Sequence, residues 1–316
     1  MKQNIQLEGI IREVKKVIIG KDECIQMALA AVLAGGHILI EDVPGVGKTT
    51  IAMAFSRAMA LNNCRVQFTP DVLPADILGF SLYQKDTGTF QYQPGTIMCN
   101  LFLADEINRT SPKTQSALLE VMEEGMVTVD GVSRPVPEPF IVIATQNPVG
   151  SAGTQVLPES QLDRFMISMS MGYPDLEQEI AIARGKSISG SVEEVEQVIT
   201  GKDLMALQAE VEKIAVHDVI FTYMGKLVRA TRNHEMVELC ISPRGMIALT
   251  RMAKGMAFLQ GRTYVTPEDV VEVFPAVAKH RLVLGAKARI AHVHPEDVTE
   301  QILVEVNKPV ARKRVI

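Results

Sequence analysis

The chain has 316 residues, of which 47% are hydrophobic and 22% are charged, and its formal net charge is −5. This composition is typical of a globular protein with a sizeable core, and the length predicts about two domains. The negative balance offers no general basic surface, so we expect no nucleic acid partner. The first residues lack the apolar segment of a secretory signal, and no apolar run is long enough to span a bilayer. We therefore expect a cytoplasmic protein without a membrane span.

The chain begins with elements that alternate between helix and strand. A helical pattern over residues 22–34 ends at two glycines, and a short buried-strand pattern follows at 37–42. After a glycine-containing loop, a segment rich in helix formers begins at Lys48. Strand, glycine loop and helix in this order are the context in which phosphate-binding loops occur.

Three further strand patterns lie at 64–69, 99–106 and 140–147. The last two are nearly continuous apolar runs, which are typical of parallel strands buried on both faces. Between them, Ser111 and Pro112 predict the start of a helix that ends at Gly125. The alternation predicts an α/β fold with a doubly wound parallel sheet and flanking helices.

The pattern changes after about residue 186. A small, polar, glycine-containing stretch, "SISGSVEEVEQ", is followed by helical patterns at 201–216, 218–231, 243–260, 266–282 and 297–308. Two of these helices begin with the related signals "TPEDV" and "HPEDV", in which proline and two carboxylates occupy the first turn. We predict an α/β domain over 1–186 and a smaller all-α domain with a C-terminal tail over 187–316.

The loop sequence "EDVPGVGKTT", at 41–50, has the chemistry of a phosphate-binding loop. Gly45 and Gly47 would let backbone amides approach phosphate oxygens, with the N terminus of a helix behind them. Lys48 would contact the β- and γ-phosphates, and Thr49 would offer its hydroxyl to Mg²⁺. The alternative is a glycine turn that only connects a strand to a helix.

The loop departs from the general pattern G-x-x-x-x-G-K-[ST], because Asp42 stands where the pattern has its first glycine. Aspartate is among the few other residues that tolerate left-handed backbone angles, and Pro44 helps to fix the turn. We expect the Asp42 carboxylate to point away from the phosphates and to bind loop amides.

Two other strands end in polar side chains that suit phosphate hydrolysis. In "LFLADEINR", Asp105 could hold Mg²⁺ through its water shell, and Glu106 could orient or deprotonate the attacking water. In "FIVIATQN", Asn147 could hold the same water. Because the carboxyl ends of parallel strands share one edge of a sheet, all three should lie near the loop. The alternative is a solvated pair of carboxylates at a strand end.

The order of these motifs, followed by "LPESQLDRF", "SPRGMIAL" and a helical lid, resembles an AAA+ ATPase. The strings "QFTPDVLPADILG", "LADEINRTSPKTQSALLEVMEEG" and "ATQNP" are similar to the MoxR family in particular. The resemblance extends from about residue 18 to residue 280. It implies an AAA+ P-loop domain followed by a lid, with ATP and Mg²⁺ as cofactors.

The resemblance also implies roles for single residues. Arg164 matches the arginine finger that reaches the γ-phosphate of a neighbouring subunit, Arg244 matches the second sensor, and Asn147 matches the first sensor. The alternatives are an ion pair of Arg164 with Asp163 or Glu159, and simple solvation of Arg244 at a helix N terminus. The implied nucleotide-binding residues are Gly20, in the stretch that packs around the adenine, and Pro44, Gly45, Val46, Gly47, Lys48, Thr49 and Thr50.

A finger supplied by a neighbour makes hydrolysis depend on assembly, so a homo-oligomer is implied, a ring of six by family resemblance. The family further implies a chaperone-like role on a partner protein with a von Willebrand factor A domain. Two alternatives remain open: a nucleic-acid motor, since helicases share the AAA+ core, and a phosphotransferase that only shares the loop. The late "NKPV" lacks the aspartate of the guanine-reading motif, so GTP is not indicated.

Two segments are predicted hairpins that touch the substrate. The segment 80–95 has a turn at Asp86-Thr87-Gly88, and the segment 126–136 has a turn at Asp130-Gly131. The alternative is a pair of surface hairpins that cap the sheet. The basic tail, with Lys308, Arg312, Lys313 and Arg314, is predicted to be solvated.

Overall fold

The computed structural model describes residues 2–42, 47–147, 154–173, 176–184 and 191–309. Its strands are β1 (Ile38–Glu41), β2 (Asn63–Gln67), β3 (Gly79–Gln84), β4 (Thr89–Pro94), β5 (Leu101–Asp105), β6 (Met126–Val129), β7 (Val132–Pro135), β8 (Ile141–Gln146), β9 (Ile167–Met169), β10 (Val237–Leu239) and β11 (Val283–Leu284). Its α-helices are α1 (Lys2–Lys15), α2 (Asp22–Leu33), α3 (Lys48–Ala58), α4 (Pro74–Leu78), α5 (Pro112–Glu124), α6 (Glu159–Leu162), α7 (Leu176–Ala183), α8 (Gly201–Glu212), α9 (Asp218–Asn233), α10 (Pro243–Leu259), α11 (Pro267–Ala278), α12 (Ala286–Ile290) and α13 (Pro295–Glu305).

The first half is built around a parallel five-stranded sheet with the order β2-β5-β8-β1-β9. All residues of β5 are buried, as expected for an apolar strand covered on both faces. The register places Glu41 of β1 beside Gln146 of β8, and Gln67 of β2 beside Asp105 of β5. The polar strand ends therefore lie along one edge, as the sequence predicts. The short strand β9 was not predicted, because three residues carry too little periodicity to be recognised.

The core consists of two clusters on opposite faces of the sheet. One cluster contains side chains of α1, α2 and α3 and continues without interruption into α8, α9, α10 and α11. The other contains side chains of α5 and of the segments around the two hairpins. Helix α5 has the predicted ends, with the Ser111 hydroxyl accepting from the Thr114 N–H at 3.3 Å and Gly125 in a left-handed conformation.

Both predicted hairpins form antiparallel pairs, β3 with β4 and β6 with β7. The turn between β6 and β7 consists of Asp130 and Gly131, which both have positive φ angles of 51° and 75°. Two positive φ angles are the requirement of a type I′ two-residue hairpin turn, and Asp-Gly is a favoured pair for it.

The second half has the predicted helices α8, α9, α10, α11 and α13, and it also has the short helix α12, which was not predicted. The strands β10 and β11 form a small antiparallel pair among them, so this part is helical but not entirely so. Residues 191–200, placed in the helical domain by the sequence, pack on the α/β part, where Val198 and Ile199 both donate to the Ala58 carbonyl. The boundary at 186/187 remains a prediction.

Candidate functional site

Lys48, the first residue of α3, lies at the carboxyl edge of the sheet and is only 7% exposed. Its Nζ donates to the Asp42 carbonyl at 2.7 Å and to Asn147 Oδ1 at 3.4 Å. Burial lowers the pKa of Lys48, and the nearby charges of Asp42, Asp105 and Glu106 partly oppose this shift. Both of these hydrogen-bond acceptors are neutral, which leaves a buried ammonium group suited to an anion.

The start of α3 is equally suited to an anion. Gly47 precedes the helix with φ of 90°, and within the described residues no side chain caps the first turn. The amides of Lys48, Thr49 and Thr50 are therefore available to a ligand, as at known phosphate sites. An added Cβ at Gly47 would lie 3.9 Å from Ile18 Cδ1, so the stretch before Gly20 lies beside the loop. Pro44, Gly45 and Val46 fall outside the described residues.

Asp105 is held by two donors at the end of β5. Its Oδ1 accepts from the Thr145 hydroxyl at 2.7 Å, and its Oδ2 accepts from the Arg65 guanidinium at 2.7 Å. The Thr145 hydroxyl also accepts from the Glu106 N–H at 2.9 Å. One side chain of β8 thus fixes the backbone and the carboxylate at the end of the neighbouring strand.

Glu106 has a left-handed backbone, with φ of 57°, and each oxygen of its carboxylate accepts a hydrogen bond. Oε2 accepts from Arg109 at 2.8 Å, and Oε1 accepts from Asn147 Nδ2 at 2.9 Å. Burial by itself raises the pKa of Glu106, but the hydrogen bonds from Arg109 and Asn147 outweigh it and lower that pKa. The side chain is therefore an ionised carboxylate that Asn147 connects to Lys48.

The Asp42 carboxylate binds backbone amides outside the loop, and residues 43–46 of the loop lie outside the described residues. It accepts from the Ser170 hydroxyl at 2.6 Å, from the Met171 N–H at 2.5 Å and from the Gly172 N–H at 3.3 Å. These donors follow β9, so Asp42 ties the start of the loop to the edge strand. Asp42 has no positive φ, so its backbone does not use the left-handed conformation that aspartate tolerates.

Within one chain, Arg164 and Arg244 lie far from Lys48. Arg164 precedes β9 at the opposite, amino edge of the sheet, where the Met166 N–H donates to the His37 carbonyl at 2.8 Å. The four residues of β1 separate this edge from the loop by about 13 Å.

Both arginines form an ion pair with one carboxylate, that of Glu123 in α5. The Arg164 guanidinium lies 3.0 Å from Glu123 Oε2, and Arg244 pairs with the other oxygen of that group. The expected alternatives for Arg164 are wrong, because Asp163 pairs with Arg281 instead and Glu159 forms no ion pair within the described residues. Arg244 is half-exposed at the start of α10 and is ion-paired rather than simply solvated.

Comparison with known proteins identifies the family of this chain. Residues 37–167 match the family described as "ATPase family associated with various cellular activities (AAA)", and residues 229–302 match an "AAA lid domain". The chain is 39% identical to Chaperone MoxR1 of Mycobacterium tuberculosis over 96% of this chain and 82% of that protein. It belongs to the MoxR family of AAA+ ATPases.

Other relatives of this MoxR-family chain agree. It is 45% identical to the uncharacterized protein YeaC of Bacillus subtilis, over 96% of this chain and 95% of that protein. It is 30% identical to Protein MoxR of Methylorubrum extorquens, over 86% of each chain. A putative ATPase from Cytophaga hutchinsonii has the same fold, with a TM-score of 0.88 and 36% identity, over 98% of this chain and 96% of that one. Nucleotide binding and ATP hydrolysis follow from family membership.

The sequence motifs located the central residues of this MoxR-family site, but several residues that hold them in place were not predicted. Arg109 and Thr145 stand inside the motifs already noted, so their closeness in sequence was an available signal. Arg65 and Glu123 carried no such signal, because they reach Asp105 and the two arginines only through the pairing of strands and the packing of α5.

The described residues contain neither a membrane-spanning helix nor a cluster of metal ligands. No helix among them is long and apolar enough to cross a membrane. In the same part of the chain, no group of three or more His, Cys, Asp and Glu side chains is arranged to hold a metal ion.

Proposed function

We propose that this chain hydrolyses ATP with Mg²⁺ in a ring of identical subunits, six by family resemblance, and remodels a partner protein that carries a von Willebrand factor A domain. The observation that carries the ring is the separation of the two sets of residues. Lys48, Asp105, Glu106 and Asn147 lie at the carboxyl edge of the sheet, whereas the arginines converge at the opposite edge. A head-to-tail ring brings these unlike surfaces together at every interface.

The residues at the loop fit the nucleotide and its metal ion. The ammonium group of Lys48 and the first-turn amides through Thr50, which no described side chain caps, suit the phosphates. The hydroxyl of Thr49 and the carboxylate of Asp105, through water, are the oxygen ligands that Mg²⁺ prefers. The ion supplies positive charge that offsets the charge of the phosphates. The buried, under-compensated Lys48 is the structural support for this assignment.

The proposed chemistry uses the carboxylate of Glu106 as general base. Its lowered pKa keeps it ionised, and Asn147, bonded to both Lys48 and Glu106, is placed to position the water. In this structure Arg109 also holds the Glu106 carboxylate, so this contact must loosen before Glu106 accepts a proton. Arg164, with Arg244, then approaches the γ-phosphate from the neighbouring subunit.

The hairpin β3–β4 supports a contact with the partner protein. Phe80, Leu82 and Tyr83 are each about half exposed, and Phe90 is 73% exposed. These side chains lie on both faces of an isolated two-stranded ribbon, which is marginally stable without a covering partner. We propose that this ribbon and the adjacent hairpin β6–β7 contact the remodelled protein.

Mixing two inactive variants tests whether the arginine acts across an interface. Lys48→Ala removes phosphate binding but leaves Arg164, and Arg164→Ala does the reverse. Each variant alone is expected to be nearly inactive, since an arginine finger contributes roughly 10³ to 10⁵ in rate. In a 1:1 mixture about a quarter of the interfaces of a head-to-tail ring combine an intact loop with an intact arginine. We expect ATPase activity to reappear in the mixture.

The control is a chain with both substitutions, which must not restore activity to either single variant. Activity of the wild-type protein per subunit is also expected to rise with protein concentration. If the mixture stays inactive while both variants assemble in sedimentation, or if Arg164→Ala alone retains wild-type turnover, action across the interface is wrong.

A further inference from the structure

The residue before Arg164 connects both arginines. The carboxylate of Asp163 accepts from the Ser242 hydroxyl at 2.8 Å through Oδ2 and from Arg281 Nε at 2.7 Å through Oδ1. Ser242 is the N-cap of α10, and its hydroxyl also accepts from the Gly245 N–H at 3.1 Å. Arg244 is two residues further along this first turn. One carboxylate therefore joins the segment that carries Arg164 to the helix that carries Arg244.

Arg281 makes this junction rigid. Its side chain is 2% exposed, and its guanidinium donates to the carbonyls of Asp163 at 3.2 Å, Phe165 at 2.6 Å and Met166 at 3.1 Å. Burial lowers the pKa of Arg281, and the hydrogen bond and charge of Asp163 oppose that shift. The backbone around Arg164 is thus fixed by several bonds from one buried cation.

The first turn of α10 also rests directly on Arg281. A Cβ added at Gly245 would lie 2.9 Å from Arg281 Cδ and 2.5 Å from Ile241 Cγ2, so the first turn approaches Arg281 too closely for a larger residue at position 245. At the other end of this arrangement, the guanidinium groups of Arg164 and Arg244 meet on the single carboxylate of Glu123. Their spacing therefore suits two contacts to one small anionic group.

We propose that Asp163 is a positioning residue, which holds Arg164 and Arg244 at the spacing needed to bind one phosphate group of the neighbouring subunit's nucleotide. This inference rests on the proposed function, because it requires both arginines to act across the interface. A misplacement of about 1 Å in such a group can reduce the rate by as much as 10²-fold. The carboxylate is only partly buried, contacts Ser242 and Arg281 and acts through the two arginines.

A purely structural role of Asp163 would be to compensate the buried charge of Arg281. Asp163→Asn leaves that charge without a partner, a change that is strongly destabilising in general. Ser242 offers a milder test of the same link. Ser242→Asp keeps a good N-cap but replaces the bond to Asp163 by repulsion, whereas Ser242→Thr keeps both the cap and the bond. Neither Ser242 substitution removes the ion pair between Asp163 and Arg281.

The experiment uses the mixture of Lys48→Ala, the arginine donor, with Arg164→Ala, the acceptor. The Ser242 substitutions are introduced into the donor, and ATPase activity is measured over a range of ATP concentrations. With Ser242→Asp in the donor we expect kcat of the mixture to fall by about 10- to 100-fold at unchanged KM. With Ser242→Thr in the donor we expect kcat to stay at the value of the unmodified donor. Asp163→Asn in the donor is expected to resemble Ser242→Asp, provided that its thermal unfolding shows a folded protein.

Three outcomes would overturn the inference. The first is a Ser242→Asp donor that performs as well as the Ser242→Thr donor. The second is an equal fall in kcat when Ser242→Asp is placed in the acceptor instead of the donor, because the acceptor's own arginines do not act at the productive interfaces and general damage would then be the cause. The third is an unmodified donor that fails to activate the acceptor, which refutes the proposed trans action itself and not the role of Asp163 alone.

Discussion

At the scale of single residues, Asn147 joins the two halves of the site. Its amide oxygen accepts from Lys48, and its amide nitrogen donates to Glu106. The Asn147 side chain therefore contacts both the phosphate-binding cation, Lys48, and the proposed general base, Glu106. Glu106 itself is anchored by Arg109 and by its strained left-handed backbone, which non-glycine residues adopt only where the surroundings enforce it.

The role of Glu106 predicts a variant that binds ATP without using it. Glu106→Gln keeps the size and the hydrogen bond to Asn147 but removes the base, so we expect nucleotide affinity near wild type and turnover lower by about 10² to 10⁴-fold. Fluorescent ATP binding and phosphate release measure the two quantities. The matched control is Glu300→Gln, at an exposed position of α13, which should change neither.

Near-normal turnover of Glu106→Gln would remove the proposed base. If the variant holds ATP, it also provides a trap for the remodelled partner. Capture on the ATP-bound variant, with identification by mass spectrometry, should recover a protein with a von Willebrand factor A domain. Recovery of partners that all lack such a domain would contradict that part of the proposal.

At the scale of elements, the contact of α10 with α2 binds the helical part to the α/β part. Gly255 of α10 lies against α2 so closely that an added Cβ would be 2.5 Å from the Ala30 carbonyl oxygen. The obstructing atom is backbone, which cannot move aside as a side-chain end can. In α9, by contrast, no atom of the described residues lies within 4 Å of a Cβ added at Gly225.

This contrast predicts opposite effects of the same substitution. Gly225→Ala should stabilise the protein by about 0.5–1 kcal/mol, because alanine loses less backbone entropy in a helix. Gly255→Ala should gain the same propensity but lose about 1–3 kcal/mol to overpacking, for a net destabilisation. Chemical denaturation of the two variants measures the difference. A Gly255→Ala protein as stable as Gly225→Ala would show that the helices do not approach so closely.

At the scale of the whole molecule, His37 connects the amino edge of the sheet to its neighbours. Its Nδ1 accepts from the Val142 N–H at 3.0 Å, so the neutral ring carries its proton on Nε2, which lies 3.0 Å from the Met122 carbonyl. Burial lowers the pKa of His37 to about 4; the nearby Arg251 charge acts in the same direction, and the bond to Met122 opposes it.

This shift links the stability of the fold to pH. The unfolded chain binds a proton at His37 near pH 6.5, whereas the folded chain does so only near pH 4. The free energy of unfolding therefore decreases as pH falls through this window, by at most about 3 kcal/mol from His37. Denaturation at pH 7 and pH 4.5 should show a smaller loss in His37→Asn than in wild type.

The control for this comparison is His292→Asn, since His292 is exposed and its positive φ of 54° suits asparagine. It should lose as much stability on acidification as wild type does. Equal losses in wild type and His37→Asn would show that His37 does not carry the linkage, which would then lie with other buried groups such as His280.

The loop at Lys48, the carboxylates at 105 and 106, and Asn147 could all be located from the sequence, because strand, turn and helix patterns are local. Parallel strands then bring such strand ends to one edge by geometry alone. The hairpin turn at Asp130 and Gly131 was equally readable, since few residue pairs accept two positive φ angles. The short strand β9 and the pair β10–β11 were missed because their pairing partners, not their own residues, stabilise them.

The amino-acid sequence by itself determined the order of the elements, the α/β and helical parts, the residues at the loop and the family. Only the tertiary structure decided where Asp42 binds, which carboxylate meets Arg164 and Arg244, and that these arginines lie at the edge of the sheet away from Lys48. The physical reason is the range of the interactions. Helices, turns and strand ends depend on residues a few positions apart, whereas Glu123, Asp163 and Arg281 meet only when α5, the segment before β9 and the lid pack together.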